Sequence, residues 1–439
     1  MSIADTFKQF LRNLAVDNAE TISARYGEIT CALNKKFRES ESKEAHSLRV
    51  GSYGRNTAIK GISDLDMLYI MPKGEWETYK NGGQSKLLSD AAAAIRARYP
   101  TTDVRVDRLV VTAVYSNFRV EAQPVFEQDD GSFKYPDTYN GGSWKTTKPK
   151  EEMRAMSEFD SKKNNNLRRL CRMARAWKNK HGVGMGGLLI DTLAHNFLAS
   201  TSEYDTKSFL YYDFMSRDFF AYLKDLPKQD YYAALGSGQR VKVKKPFQRK
   251  AKKAHDLCLK AIEAEGKANQ NDKWRAIYGR LFPAAEKVQK AALAEGSART
   301  FRNTEEFPEQ VFAGIDIRNN ITIDCVVEQN GYRPASLREI LRERTLLKPR
   351  KKLTFTIVDT DIQGSFGLFW KVLNRGAEAE RRDCIRGQIV ADGGHKKAIE
   401  HTHFKGDHVV ECYAVVDGVV VATDRIHVPI NSNQEDENE

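Results

Sequence analysis

Cysteine is scarce in this chain: six among 439 residues, at positions 31, 171, 258, 325, 384 and 412, with no close pair. That scatter argues against both a disulfide framework and a zinc knuckle. Long apolar runs are missing too. None reaches the roughly 18 residues of a membrane span, and the longest candidate, Leu188 to Leu198, is interrupted by Asp191, His195 and Asn196. The opening MSIADTFKQFLRNL has no basic segment followed by an apolar stretch and a small-residue cleavage site. It reads as an amphipathic helix rather than a signal peptide. No internal repeat is visible. These absences point to a reduced cytoplasm and to no membrane partner.

Acidic residues are outnumbered, 59 against 70 Lys and Arg, which leaves a formal net charge of +11. Such a surplus suits a protein that handles polyanions, nucleotides or nucleic acid. The surplus is uneven. RVKVKKPFQRKAKK, residues 240–253, holds eight basic side chains and no acid, whereas residues 431–439 hold four acids. The basic run reads either as a solvated helix face with its loop or as a nucleic-acid contact.

With 41% hydrophobic and 29% charged residues, the composition is that of ordinary globular material, and the length calls for two or three domains. The first forty residues read as two helices, with Ile22, Tyr26, Ile29 and Leu33 at the spacing of one buried face. A glycine-punctuated segment then leads into a strand, ISDLDMLYIMP, closed by Pro72. Residues 104–126 read as a hairpin turning near Ser116 and Asn117, and 138–150 as a loop. From about 160 to 300 the pattern is helical. A linker-like stretch with Pro308 follows, and from about 312 the segments are β-type apart from a helical insert, SLREILRERTLL. Asp417-Gly418 between two Val-rich runs is a strong hairpin signal. A domain boundary falls near 305, and 431–439 reads as a disordered acidic tail.

The chemistry concentrates in GSYGRNTAIKGISDLDMLYIMP, residues 51–72. Asp64 and Asp66 lie two apart on a strand, so both carboxylates face the same way. Carboxylates this close repel unless a cation bridges them, and hard oxygen ligands suit Mg2+ or Mn2+. For a bare Asp-x-Asp, a solvated pair of edge-strand acids is the ordinary reading. Gly51-Ser52 alters it, since such a turn offers backbone N–H groups and a hydroxyl to phosphate oxygens. Glu121 adds a third acid, on a strand where Phe118, Val120 and Ala122 face the core while Arg119, Glu121 and Gln123 share the polar side. Three acids on two neighbouring strands can hold two metal ions about 3.5–4 Å apart.

This order of Gly-Ser, Asp-x-Asp and a third acid resembles the polymerase-β-type nucleotidyltransferase superfamily. Within it, GSYGR-x-T-x-I-x-G-x-SDLD is similar to the bacterial cyclic-oligonucleotide synthases related to cyclic GMP–AMP synthase (the CD-NTases, or SMODS proteins). The likeness runs from about 19 to 295 and includes LRRLCRMARAWKNKHG, GGLLIDTLAHNFL and KWRAIYGRLFP. The resemblance implies an α+β fold: a polymerase-β-like palm over 1–150 with the N-terminal helices, and a helical half over 151–305. It also implies that Asp64, Asp66 and Glu121 are catalytic metal ligands for two Mg2+ or Mn2+ ions, that Gly51 and Ser52 grip the triphosphate, and that Arg175 contacts it. Lys178 lies three residues on along the same helix. Two departures stand out: Glu121 where Asp is common, and Asn56 where Gly is frequent.

Residues 306–430 resemble the AGS-C sensor domain through FWKVLNRGAEAERRDCIRGQI and EHTHFKGDHVVECYAVVDGVVVA. The resemblance implies ligand sensing. Trp370, Arg375, Arg386 and His408 could line its pocket. His401, His403 and Cys412 are the weaker suggestion of a metal. The expected activity is therefore the making of a cyclic oligonucleotide second messenger from nucleoside triphosphates, ATP among them, in bacterial anti-phage defence. A separate effector would read the product, and a ligand of the C-terminal domain or a nucleic acid along 240–253 would be a further partner. The competing readings are a linear oligonucleotide synthetase, an RNA-tailing enzyme, and an inactive nucleotide- or nucleic-acid-binding relative.

Overall fold

The computed structural model describes residues 2–285 (apart from 62 and 117) and 305–430 (apart from 329–333, 343–346, 348–350, 375–386 and 403–405). The acidic tail and the linker up to 304 lie outside these residues, as do Arg375, Arg386 and His403. The described chain forms two compact units. One comprises residues 1–180 and 185–285, the other 181–184 with the described residues from 305 onward.

The first unit opens with α1 (Ile3–Asn13) and α2 (Ala19–Arg38). Ser2 caps α1, its hydroxyl accepting from the Asp5 amide at 3.1 Å. Then come β1 (Ser47–Arg49), the one-turn α3 (Gly51–Gly54), β2 (Asp64–Ile70), the short α4 (Trp76–Tyr79) and α5 (Gln84–Arg98). β3 (Asp103–Val106), β4 (Val111–Val114), β5 (Arg119–Glu127), β6 (Phe133–Asp137) and β7 (Ser143–Thr147) complete a seven-stranded sheet. Its central order is β1-β2-β5-β4-β3, with β6 and β7 continuing from β5. β2 and β5 run parallel, and the other pairs are antiparallel.

One face of this sheet is covered by α2 and α5. Ile22, Tyr26, Ile29 and Leu33 of α2 meet Leu87, Leu88, Ala91 and Ile95 of α5 over Leu65, Met67, Tyr69, Val120 and Ala122. The period-2 alternation of β2 and β5 sends the intervening residues to the opposite face. This is the feature that positions the site.

The sheet departs from expectation in two places. The long first arm of the hairpin is broken at 107–110 into β3 and β4, and the expected loop at 138–150 contains β7. β7 escapes a hydrophobic reading because its residues are exposed or half-exposed.

The helices of the first unit are α6 (Pro149–Lys162), α7 (Asn166–His181), α8 (Gly187–Ala199), α9 (Tyr212–Asp225), α10 (Gln248–Ile262) and α11 (Gln270–Tyr278). A two-stranded ribbon, β8 (Tyr231–Ala233) with β9 (Arg240–Lys242), interrupts what the sequence pattern presents as all helix. The N-terminal helix joins this group through aromatic packing. Phe7 meets Trp274 edge-on at 5.1 Å between ring centroids and Phe282 at 5.3 Å.

The second unit begins with α12 (Pro308–Val311), β10 (Gly314–Ile315), β11 (Ile321–Glu328), β12 (Ala335–Ser336) and α13 (Leu337–Arg342). β13 (Lys352–Thr360), β14 (Gly367–Leu373), β15 (Ile389–Ala391), β16 (Lys397–His401), β17 (Gly406–Val416) and β18 (Val419–Ile430) follow. They form a five-stranded sheet, β10-β18-β17-β14-β15, and a four-stranded one, β12-β11-β13-β16. Apolar residues of both sheets share one core: Ile323, Cys325 and Phe355 from the smaller, Trp370, Cys412, Ala422 and Ile426 from the larger. The architecture is the α+β unit with a helical part and the separate β-rich unit that the sequence led us to expect.

Candidate active site

The parallel pairing of β2 with β5 sets Asp66 directly beside Glu121 and Asp64 beside Arg119. Neighbouring strands lie about 4.8 Å apart, so same-face side chains at paired positions converge. One carboxylate oxygen from each of Asp64, Asp66 and Glu121 lies within 4.8 Å of the others. All three residues are half-buried, and among the described residues no other group of this kind gathers.

Two neighbours temper the negative charge. Arg119 Nε sits 2.8 Å from Glu121 Oε1, and the Ser63 hydroxyl donates to Asp64 Oδ1 at 3.1 Å. A cluster of three half-buried carboxylates with hard oxygen donors fits a divalent cation, of the kind that also takes phosphate oxygens and water. Glu121 reaches the cluster despite its extra methylene.

The Gly51-Ser52 turn abuts these acids. The Val50 amide donates to the Asp66 carbonyl at 2.9 Å, which ties the start of α3 to β2. Gly51 has φ of 63°, and a Cβ built on it would collide with the Asp66 carboxylate. Glycine is required there twice over, for the backbone angle and for the close approach. The opening amides of a helical turn have no intrahelical acceptor, so the turn presents donors next to the carboxylates. Asn56 has φ of 59°, a left-handed conformation that Gly and Asn both tolerate. Its substitution for the commoner glycine thus follows from the backbone.

Arg175 is placed differently from Gly51 and Ser52. Its guanidinium is buried, with Nη1 2.5 Å from Asp191 Oδ1 and Nη2 3.0 Å from Asp191 Oδ2. Lys178 is likewise buried on α7. Two other arginines of α7 grip the backbone just after the turn. Arg168 Nε donates to the Arg55 carbonyl at 3.1 Å and Arg172 Nη2 to the Asn56 carbonyl at 3.0 Å. Sequence reasoning gave neither Arg55 nor Asp191 a functional role. No local spacing connects them, because Arg55 and Asp191 are 136 positions apart.

In the β-rich unit, Trp370 is a core residue whose indole N–H donates to Asp392 Oδ1 at 3.0 Å. His408 Nδ1 lies 3.0 Å from Asn374 Oδ1. Cys412 is fully buried, and burial pushes its thiol well up; His401 lies exposed at the end of β16.

With the geometry in place, the comparisons with known proteins can be read. Residues 1–160 match the family model for the Second Messenger Oligonucleotide or Dinucleotide Synthetase domain, SMODS. Residues 302–431 match that for the Adenylyl/Guanylyl and SMODS C-terminal sensor domain, AGS_C. No curated protein matches the chain. Solved structures similar to it include the E. coli MS115-1 CdnC:HORMA-deltaN complex, at 14% identity over 64% of this chain and 98% of that one, with a TM-score of 0.47. The apo form of Vibrio cholerae DncV aligns at 14% identity over 55% and 69%, with a TM-score of 0.45. The Bradyrhizobium diazoefficiens CD-NTase CdnG in complex with GTP aligns at 11% over 64% and 95%, with a TM-score of 0.45.

An acidic cluster beside a Gly-Ser turn, in a domain of this family, defines a nucleotidyltransferase. Residues 1–160 form a SMODS-type second-messenger oligonucleotide or dinucleotide synthetase domain, and residues 302–431 an AGS_C sensor domain.

Proposed function

We propose that the protein joins nucleoside triphosphates, ATP among them, into a cyclic oligonucleotide at the cluster of Asp64, Asp66 and Glu121. The observation that carries this reading is the convergence of the three carboxylates, within 4.8 Å, against the Gly51-Ser52 turn in the SMODS-matching region. When bound, Mg2+ or Mn2+ ions would make the attacking ribose hydroxyl more acidic and offset charge on the departing pyrophosphate. The chain's own part is orientation. Gly51 and Ser52 hold the triphosphate by amide and hydroxyl donors, and Asp64, Asp66 and Glu121 would hold the cations. Arg119 keeps Glu121 aligned. A first joining step gives a linear intermediate with a free hydroxyl and a remaining triphosphate. A second attack within that molecule closes the ring and releases the second pyrophosphate.

In this reading the β-rich unit senses a ligand, the product serves a separate effector in anti-phage defence in the cytoplasm, and residues 240–253 offer a surface for nucleic acid. Arg240, Lys242 and Arg249 are exposed there.

The test is incubation of the purified chain with all four ribonucleoside triphosphates and Mg2+ or Mn2+, followed by phosphatase and mass spectrometry. A phosphatase-resistant product that is absent with Asp64→Asn/Asp66→Asn supports the proposal. A phosphatase-sensitive ladder assigns the chain to linear synthesis or RNA tailing instead. The same resistant product from the double variant would remove these acids from the chemistry.

A further inference from the structure

The turn that begins at Gly51 packs one apolar side chain, the half-buried Tyr53, against the core of the sheet. α3 is a single turn of four residues, none of them fully buried. Beside that packing and the Val50 amide bond to β2, a charged cluster lies behind the turn and bears on its position. Arg55, at the end of the turn, directs Nε to Asp191 Oδ2 at 2.8 Å and Nη1 to Glu152 Oε2 at 3.2 Å. The Thr57 hydroxyl also donates to Asp191 Oδ2, at 3.1 Å. Arg175 holds the same carboxylate from α7 through two contacts and donates to the Gly187 carbonyl at 3.1 Å. Ser237 donates to the other Glu152 oxygen at 3.1 Å. Side-chain exposure is at most 6% for Arg55, Glu152, Asp191 and Arg175.

Two cations and two anions balance in this interior: Arg55 from the residue that follows α3, and Glu152, Arg175 and Asp191 from α6, α7 and α8. Asp191 is its centre, since both arginines and Thr57 converge on it. Well-packed apolar side chains would serve stability at least as well as such a buried ionic group. What the ionic group adds is direction: bidentate guanidinium contacts fix distance and angle in a way that apolar packing does not.

We propose that Asp191 is a positioning residue for the Gly51–Gly54 turn, acting through Arg55 and Thr57, and that Arg175 acts through Asp191 rather than on the nucleotide. The consequence for triphosphate affinity rests on the reading of that turn as the phosphate cradle. Burial alone would raise the Asp191 carboxyl, but Arg175 and Arg55 outweigh it and hold it at about 2, so the group is an anion throughout the working range.

The experiment uses the full chain with Asp191→Asn, which keeps the shape but removes the charge. Thr57→Val is the milder second variant should the first fail to fold. Amide hydrogen exchange is followed in peptides spanning 51–58 and, as an internal control, 86–95 of α5. Binding of each of the four ribonucleoside triphosphates is titrated in parallel with Mg2+. Asp191→Asn is expected to speed exchange at 51–58 at least tenfold while the control peptide is unchanged, and to weaken triphosphate binding at least tenfold. Thr57→Val should shift both in the same direction by less. A purely structural loss would raise exchange in the control peptide as well and would overturn the proposal. Folded variants with wild-type exchange at 51–58 would also overturn it, whatever their affinity. Faster exchange at 51–58 with no triphosphate binding even in the unsubstituted chain would leave the positioning role standing and defeat the phosphate-cradle reading.

Discussion

Gly51 and Asp66 illustrate how closely single residues constrain one another here. Gly51→Ala must place a methyl group where the Asp66 carboxylate lies, at a backbone angle that L residues avoid. The angle alone costs about 1–2 kcal/mol. On the proposed reading of Asp66, displacing its carboxylate should add a fall in activity of roughly 100-fold, as misplacements of about 1 Å do. Parallel melting curves and rates would separate the two effects. Asp64→Asn with Asp66→Asn should behave oppositely on stability. It removes repulsion between half-buried carboxylates, so the melting midpoint should hold or rise while activity falls by about 1,000-fold or more. A falling midpoint would show these acids to be structural. Asp191 should respond to pH as well. Its carboxyl is lowered from 3.8 to about 2 in the fold, so its stabilising contribution is present above the unfolded value and is lost as pH drops through 3.8 towards 2. At 1.36 kcal/mol per unit this amounts to roughly 2 kcal/mol. Acid titration of unfolding should therefore be shallower between pH 4 and 2 in Asp191→Asn, whose own baseline stability is lower because two buried guanidinium groups lose the carboxylate charge they share.

At the scale of elements, what could be read from the sequence follows the range of the signal. Strand alternation is local, so from spacing alone Asp64 and Asp66 could be assigned to one face of their strand and Glu121 to the polar side of another, and the parallel pairing of β2 with β5 brings them together. Helix periodicity is equally local, and Ile22, Tyr26, Ile29 and Leu33 do face the sheet. Three-residue strands such as β8 and β9, whose outward residues are exposed, carry no such pattern and were hidden in a helical stretch. The arginine stripe of α7 was visible as chemistry but not as a destination. Nothing in the spacing of Arg168, Arg172 and Arg175 says that they turn to the Arg55 and Asn56 carbonyls and to Asp191. The Asp417-Gly418 turn was legible because its backbone demands particular residues. Asp417 has φ of 50° and Gly418 of 78°, the paired positive angles of a tight hairpin turn joining β17 and β18. Gly418→Val is expected to cost about 1–2 kcal/mol in the β-rich unit. Hydrogen exchange along β17 and β18 would register the loss, and unchanged protection there would show that the turn does not hold the register.

For the whole molecule, the decisive property is that each unit closes a core of its own. The sheet and helices of the first unit bury residues drawn from positions 22 to 126, and the two sheets of the second bury residues from 321 to 430. A ligand that binds the folded form of one unit stabilises that unit by an amount set by its concentration over Kd, about 2.7 kcal/mol at a hundredfold excess. If the acidic cluster and the Gly51 turn are the nucleotide site, a triphosphate with Mg2+ should protect the first unit selectively. Limited proteolysis or exchange measured peptide by peptide would show α2, α5 and β5 becoming more resistant, with β13 and β14 unchanged. Chelation should reverse the effect, because triphosphate without a cation brings further negative charge to three carboxylates. Asp64→Asn/Asp66→Asn should lose the dependence on Mg2+ yet retain weak protection by triphosphate alone, since the turn's donors remain and two of the three repelling charges are gone. Protection that is the same with and without the cation in the unsubstituted chain would mean that the nucleotide binds elsewhere.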